Sequence, residues 1–232
     1  MGIRERQDRE KQAVQQSILD AARELFATEG YRSVSIRKIA ERIEYSPAAI
    51  YSYFSSKDDI YLALAEDGFR RLDAKVKAAR GDRGALDEVR AAWWAFYEFS
   101  KEQPAYFELM FVDRSVPKIT EAWEGFDILQ ALMADAAEGI QRAVDAGELP
   151  ASVNPIAAMH VIWGALVGPA VLALCQRLAP GEDQDLLARD VLESVLAGLQ
   201  AGCPTTFTPH ECVCDQPGAA APVGVPVHEP EG

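Results

Sequence analysis

The sequence predicts an all-α protein of about nine helices, followed by a C-terminal tail without regular structure. Apolar residues recur at spacings of three and four along most of the 232-residue chain, as in helices that bury one face. No segment up to residue 202 shows the alternating pattern of a strand. Six of the last 30 residues are proline, so residues 203–232 are expected to be disordered.

The N-terminal elements are short, and each is bounded by a recognisable signal. The first helix is expected to end at Gly30, and its apolar stripe comprises Val14, Ile18, Ala21, Ala22, Leu25 and Phe26. Ser35 suits the N-cap of a second helix, whose inner face is Ile36, Ile39, Ala40 and Ile43. Ser46 suits the cap of a third helix that runs to Phe54, with Pro47 at its first position.

The remaining helices are predicted from caps, prolines and glycines. A fourth helix is expected from Lys57 to about Arg80, before the break at residues 81–84. Later helices are expected at about 85–101, 104–111, 118–146, 155–178 and 182–202.

The segment from Pro155 to Cys175 contains 21 residues without Asp, Glu, Lys or Arg. It is long enough to span a bilayer. However, it is rich in Ala and Gly, and no cluster of Lys or Arg marks a cytoplasmic side. The composition therefore favours a helix that is buried in a core or in a subunit interface.

Charge is unevenly distributed along the chain. Residues 1–60 hold ten basic and ten acidic residues, so the net charge of −13 belongs to residues 61–232. The acidic remainder repels DNA, so any DNA contact is expected through the N-terminal region. The first 25 residues are charged throughout and lack the apolar region of a signal peptide, which predicts a cytoplasmic location.

The third helix has the side chains that DNA reading requires. Ala48, Ala49 and Ser52 are small enough to let a helix lie close to base edges. The hydroxyls of Tyr51 and Tyr53 are long enough to reach flanking phosphates. Additional candidates for DNA contact are Arg32, Ser35, Arg37, Ser46, Pro47 and Lys57.

This region resembles the N-terminal domain of the TetR family of transcriptional regulators. The resemblance rests on the patterns Phe26-x3-Gly30-Tyr31, Ser35-Ile36-x2-Ile39-Ala40 and Ser46-x4-Tyr51-x-Tyr53-Phe54-x2-Lys57. It implies phosphate contacts at Ser35, Tyr51, Tyr53 and Lys57, and a base-facing surface at Pro47, Ala48, Ala49 and Ser52. The turn at Glu44 and Tyr45 departs from the family, which usually has a small residue and glycine there.

The resemblance also implies how the chain is divided and what it binds. A helix-turn-helix DNA-binding domain is expected at residues 12–60, and an effector-binding and dimerisation domain at residues 61–202. The expected partners are a double-stranded DNA operator, a second copy of the chain and a small-molecule effector. The candidate dimer surface comprises Gly164, Gly168, Leu187, Val191 and Val195. The alternative is that these residues are core within one subunit.

Aromatic and sulfur-containing side chains are concentrated between residues 93 and 163. They either form core or line a cavity for a small apolar or aromatic molecule, and the set as a whole favours a cavity. The candidate ligand-binding residues are Trp94, Tyr97, Tyr106, Phe107, Met110, Phe126, Met133, His160 and Trp163. For His160, a hydrogen-bonded core residue is the alternative. The predicted function is a repressor released by this ligand. The alternative is an architectural or partner-binding DNA-binding protein without an effector.

No motif indicates an enzyme or a cofactor. The sequence contains no Gly-rich phosphate loop, no H-E-x-x-H and no nucleophile elbow. Cys203, His210, Cys212 and Cys214 gather in the tail, but their spacing matches no common zinc pattern. These cysteines are expected to be incidental, and metal binding by the tail stays open.

Overall fold

The structure, a computed structural model, describes residues 3–113 and 127–207. These ranges form nine α-helices and one 3₁₀ turn without a strand, which confirms the predicted all-α class. The helices are α1 (Ile3–Glu29), α2 (Ile36–Arg42), α3 (Pro47–Tyr51), α4 (Lys57–Ala78), α5 (Ala85–Glu102), α6 (Pro104–Phe111), α7 (Asp127–Asp145), α8 (Pro155–Leu174) and α9 (Gln184–Gln200). The 3₁₀ turn, Tyr31–Ser33, connects α1 to α2.

Helix α1 begins well before its predicted apolar stripe. Residues 5–13 are exposed, and Arg6 Nε donates to Glu10 Oε1 over 2.9 Å one turn away. Pairs of this kind support a helix that buries nothing. Apolar periodicity does not mark such a segment, so the predicted stripe, which begins at Val14, gave no sign of it.

Helix α3 is shorter than the predicted segment from Ser46 to Phe54. It ends at Tyr51, and the next residues continue in turns whose backbone bonds return to the helix. The amide of Tyr53 donates to the carbonyl of Ile50 over 2.9 Å, and the amide of Phe54 donates to the same carbonyl over 3.0 Å. Ile50 and Phe54 are buried, so this end of α3 is fixed to the core.

The C-terminal helices are arranged around α5. This helix packs against α4, α6, α7, α8 and α9. Helix α4 packs against α1 at one end and against α5, α6 and α7 along its length. One continuous cluster of buried apolar side chains runs through both groups of helices. Helix α4 is therefore the element shared by the N-terminal motif and the C-terminal bundle.

Two predicted helices have different bounds in the structure. Helix α7 is described from Asp127, and the predicted part from 118 to 126 lies outside the described residues. Helix α8 ends at Leu174 instead of near Leu178, because Gln176 takes a left-handed φ of 52°. The amide of Arg177 then donates to the carbonyl of Leu172 over 2.8 Å and closes the helix end.

Candidate DNA interface and effector cavity

Helix α3 presents most of its predicted base-facing side chains to solvent. The Ser46 hydroxyl accepts from the amide of Ala49 over 3.2 Å, and Pro47 occupies the first turn. Ser46, Pro47, Ala48 and Ser52 are exposed, and Ala49 is half-buried. Since Ile50 faces the core, this exposed surface is the side of α3 that is available for DNA.

The two candidate tyrosines differ in exposure. Tyr51 is 56% exposed, whereas Tyr53 is half-buried and packs against the core. Tyr51 is free to reach a flanking phosphate. Tyr53 has part of its ring fixed by packing, so its hydroxyl has a narrower range of positions.

The basic side chains around α2 already have acidic partners. Arg37 pairs with Glu41 over 2.9 Å, Arg42 pairs with Glu24 over 2.9 Å, and Lys38 pairs with Glu29. The other two candidates near α2, Arg32 and Ser35, form no ion pair in the described residues. Arg32 is exposed without an ion-pair partner in the described part of the chain, and the Ser35 hydroxyl caps α2 by accepting from the amide of Lys38 over 3.3 Å. Any phosphate contact by Arg37 has to compete with Glu41.

Lys57 lies in a joint between the N-terminal motif and α4. Its ammonium donates to the carbonyls of Tyr31 and Val34 over 2.7 and 2.8 Å, and lies 3.9 Å from the centre of the Tyr31 ring. Burial lowers the pKa of Lys57. The resemblance assigned this residue to phosphate contact, but two of its three N–H groups are occupied inside the protein. The structure therefore gives Lys57 a role in joining the 3₁₀ turn to α4.

Two tyrosines tie α4 to α6. The Tyr61 hydroxyl donates to the carbonyl of Leu109 over 2.6 Å, and burial raises the pKa of Tyr61. The Tyr106 hydroxyl donates to Asp67, and burial together with this bond raises the pKa of Tyr106 to about 12. Both phenols therefore remain protonated at neutral pH, and their hydrogen bonds link α4 to α6.

The turn between α2 and α3 contains a left-handed residue. Glu44 has a φ of 59°, in a region that favours glycine. Its amide donates to the carbonyl of Glu41 over 3.3 Å, and the amide of Tyr45 donates to the carbonyl of Ala40 over 2.9 Å. These two bonds form a Schellman motif with Glu44 at the position that glycine usually occupies.

The C-terminal bundle contains a cavity of about 170 Å³. The C-terminal half of α4 lines the cavity, and α5, α7 and α8 supply most of the other walls. The wall is largely apolar and includes the side chains Phe69, Trp93, Phe96, Phe111, Leu132, Met133, Met159, His160 and Trp163. The composition of this wall suits an apolar ligand.

The structure brings only part of the predicted ligand set to this cavity. Met133, His160 and Trp163 line it, and Nδ1 of His160 lies 2.8 Å from the carbonyl oxygen of Ile156. Phe126 lies outside the described residues. The other predicted residues are placed elsewhere: Trp94, Tyr97, Tyr106, Phe107 and Met110 are not on its wall.

The predicted ligand-binding residues that do not line the cavity make other contacts, which explain their positions. The Trp94 ring lies 4.6 Å from the guanidinium of Arg189 on the α9 side, and the Tyr97 hydroxyl is 2.9 Å from Asp185. Tyr106 faces α4, and Phe107 and Met110 are buried in the core. The sequence prediction passed over Trp93, Phe96 and Phe111. The three-residue spacing of Trp93 and Phe96 places both on one face of α5, but Trp94 and Tyr97 have the same spacing, so the sequence alone did not distinguish the two pairs.

Two charged pairs lie on the wall of the cavity. Arg80 pairs with Asp135, and Arg142 lies 3.5 Å from Glu88. All four side chains line the cavity together with the aromatic rings of Phe69, Phe96 and Phe111. The cavity can therefore accommodate an apolar body together with a polar group.

Helix α8 keeps an exposed apolar stripe in the single chain. It comprises Val161, Gly164, Gly168 and Leu172, and the opposite side of α8 packs against α5, α7 and α9. In the described residues, α8 alone is long and apolar enough to cross a membrane, with a mean hydropathy of 1.9 and 39% of its apolar window buried. The other predicted dimer residues, Leu187, Val191 and Val195 of α9, are half-buried.

The tail cluster lies mostly beyond the described part of the chain. Cys203 is exposed, whereas His210, Cys212 and Cys214 fall outside the described residues. In the described ranges no group of three or more His, Cys, Asp or Glu side chains is placed to hold a metal ion. The interpretation of the tail cysteines as incidental stays a prediction.

Family models match both halves of the chain. Residues 18–64 match the bacterial regulatory proteins of the tetR family, and residues 89–195 match the tetracyclin repressor-like C-terminal domain. The HTH-type transcriptional repressor AcnR of Corynebacterium diphtheriae is 30% identical over 191 residues, which are 82% of this chain and 93% of AcnR. The HTH-type transcriptional activator FasR of Mycolicibacterium smegmatis is 33% identical over 95 residues, 40% of this chain and 43% of FasR.

Two solved structures show the same fold. The fatty acid degradation regulator FadR from Bacillus halodurans has a TM-score of 0.68 at 18% identity and covers 80% of this chain and 96% of its own. FadR from Bacillus subtilis in complex with stearoyl-CoA has a TM-score of 0.67 at 18% identity and covers 79% of this chain and 98% of its own.

The helix-turn-helix, the helical bundle behind it and the two matching family models define a class of DNA-binding transcriptional regulators. The chain belongs to the TetR family. Its relative AcnR, matched over nearly its whole length, is a transcriptional repressor.

Proposed function

We propose that this protein is a transcriptional repressor that binds a near-palindromic operator as a homodimer, and leaves it when a small apolar or aromatic molecule enters the cavity. The observation that carries the proposal is the position of α4. This helix lines the cavity at Phe69, Leu72 and Val76, and begins at the joint made by Lys57. A ligand that displaces the C-terminal half of α4 therefore also displaces the N-terminal end of this helix, which holds the N-terminal motif.

The wall of the cavity indicates the chemistry of the ligand. Aromatic rings and the thioethers of Met133 and Met159 adapt to irregular apolar shapes. The Arg80–Asp135 pair on the cavity wall offers hydrogen bonds to a polar group of the ligand. The stearoyl-CoA bound by FadR of Bacillus subtilis combines an apolar chain with a charged group. The shared fold makes a ligand of that kind the first to test here.

A two-fold dimer through α8 and α9 accounts for the exposed stripe of Gly164, Gly168 and Leu172. Small residues let two helices approach closely, and the apolar neighbours gain from burial. The dimer also matches the needs of DNA reading. One recognition helix covers few base pairs, and two half-sites are read when the recognition helices lie about 34–36 Å apart.

Release requires that the ligand prefers the state that does not fit DNA. A near-complete switch from bound to free needs about 5.5 kcal/mol of differential affinity between the two states. The contacts of Lys57 that join α4 to the N-terminal motif would transmit the ligand-induced shift of α4 to the recognition helix. Repression, as opposed to activation, is supported by AcnR, which matches this chain over far more of its length than the activator FasR does.

The proposal is tested by selecting operator DNA from a random pool with the full-length protein, and by titrating ligands against the complex. We expect a near-palindromic site, and release by compounds that bind the cavity; stearoyl-CoA, free fatty acids and aromatic carboxylates form the first panel. Ala136→Phe places a ring in the cavity without touching α3, so this variant should bind the operator and resist release. Equal release of the variant and the wild type would contradict a role for the cavity.

An architectural protein of the same fold is the alternative function. A packed core in place of a cavity would favour it, and the 170 Å³ space between α4, α5, α7 and α8 does not. If no compound of the panel binds, and Ala136→Phe behaves as the wild type in every DNA assay, the alternative becomes the better account.

A further inference from the structure

We propose that Tyr45 is a further DNA-reading residue, aimed at the groove by the left-handed turn at Glu44, and that it sets the base preference at one position of each half-site. This inference rests on the proposed DNA interface at α3. It adds a residue that lies before the recognition helix, in the turn that departs from the family pattern.

The backbone of this turn fixes the direction of Tyr45. Its amide donates to the carbonyl of Ala40 over 2.9 Å, which closes the end of α2. Ser46 follows directly and caps α3, so Tyr45 is held between two helix ends. A non-glycine residue with a φ of 59°, as at Glu44, persists only where the surrounding structure determines the conformation. The backbone at Tyr45, and with it the position from which the side chain starts, is therefore set before DNA arrives.

The side chain of Tyr45 is available to a partner. It is 44% exposed, and its hydroxyl makes no hydrogen bond within the part of the chain that the structure describes. The N-terminal residues of a recognition helix are those that contact base edges. Because Tyr45 immediately precedes the cap of α3, it lies at that end of the helix.

The neighbouring charge selects which part of the DNA the phenol contacts. The carboxylate of Glu44 is next in the chain and exposed, and it disfavours a close approach to a phosphate. An amino group of cytosine or adenine in the major groove is a donor that suits both a phenol oxygen and a carboxylate. The geometry therefore assigns Tyr45 to a base edge, whereas Tyr51 at the other end of α3 remains the candidate for phosphate.

The experiment compares the full-length wild type with Tyr45→Ala, Tyr45→Phe and Tyr51→Ala on the selected operator and on every single-base-pair variant of it. For Tyr45→Ala we expect about a tenfold loss of affinity for the operator and a loss of preference at one base pair of each half-site. Tyr45→Phe should lose the same preference, since only the hydroxyl is removed. Tyr51→Ala should weaken binding to all variants by a similar factor, because phosphate contacts carry no sequence information.

Glu44→Asp serves as the control for the turn. Aspartate keeps the carboxylate and is enriched among residues that adopt the left-handed conformation, so the base preference set by Tyr45 should persist in this variant. If Tyr45→Ala keeps every base preference while Tyr51→Ala weakens binding, the inference about Tyr45 is wrong and the interface at α3 stands. If neither substitution changes binding, the interface and the inference fail together.

Discussion

Replacing Gly164 and Gly168 with alanine has opposite effects on a free helix face and on a subunit interface. Both glycines lie within α8 and are exposed in the single chain. A Cβ atom added at either position meets no atom within 4 Å. Alanine is favoured over glycine in a helix interior by about 1 kcal/mol per site. If the face is free, the double variant is therefore more stable than the wild type by about 2 kcal/mol.

A partner helix against this face reverses the expectation for assembly. Added methyl groups in a packed interface cost about 1–3 kcal/mol each. Two such groups from each protomer cost about 4 kcal/mol at the lower end of that range, which would raise the dimer dissociation constant several-hundredfold or more, because each 1.4 kcal/mol is one factor of ten. We expect this second outcome, since the proposed dimer brings two copies of α8 close at the glycines.

The assay is sedimentation equilibrium over a range of protein concentrations, combined with thermal unfolding. Gly139→Ala is the matched control, because its new Cβ makes ordinary contacts of 3.6 and 3.9 Å and lies on α7, away from the α8 stripe. It should leave the dimer unchanged. A double variant that is more stable and dimerises as the wild type does would refute an interface on α8.

Three further substitutions test other contacts. Gly68→Ala places a Cβ 2.4 Å from Sδ of Met110, so overpacking between α4 and α6 should lower the free energy of unfolding by about 1–3 kcal/mol in urea titrations. Lys57→Gln leaves two carbonyls with a shorter donor, and should lower the same quantity by about 1–3 kcal/mol. The ammonium of Lys101 lowers the pKa of Asp185 below its unfolded value, so this carboxylate stabilises the fold above about pH 4 and the contribution is lost as the pH falls through the folded pKa. Asp185→Asn should weaken the dependence of stability on pH in that acid range, as followed by unfolding at several pH values.

Each of these substitutions has a control on the same chain. Gly139→Ala adds a methyl group without a clash, and Lys11→Gln removes a charge from an exposed side chain. Asp190→Asn removes an exposed carboxylate of α9 that has no ion pair in the described ranges. Loss of stability equal to that of the control would contradict the contact assigned to Gly68 or Lys57. An unchanged acid dependence in Asp185→Asn would contradict the role of the Lys101 pair.

The parts of the fold that follow local rules were predictable from the sequence. Ser46 and Pro47 mark the start of α3, because serine is preferred at the N-cap of a helix and proline at its first position. Asn154 and Pro155 mark α8 in the same way, and the Asn154 side chain accepts from the amide of Ala157 over 3.0 Å. The all-α class and the turn after Gly30 follow from such signals.

The residues that line the cavity were not predictable in the same way. Trp93 and Trp94 are adjacent, and a helix turns about 100° between them, so one faces the cavity and the other faces α9. Which of the two faces inward depends on where α7 and α8 pack, and that arrangement involves contacts distant in sequence. The hydrogen bonds of the Lys57 ammonium inside the protein were not predicted for a similar reason. The carbonyl groups that accept them belong to Tyr31 and Val34, which precede Lys57 by more than 20 residues.

The charge pairs of the N-terminal helices bear on how the protein finds its operator in a genome. Arg37, Lys38 and Arg42 each pair with a glutamate, so a phosphate that approaches them has to compete with that carboxylate whatever the DNA sequence. A chromosome offers about 10⁶–10⁹ competing sites, and time spent on them is lost to the operator. A regulator that dwells briefly on each wrong site needs fewer copies to keep the right one occupied.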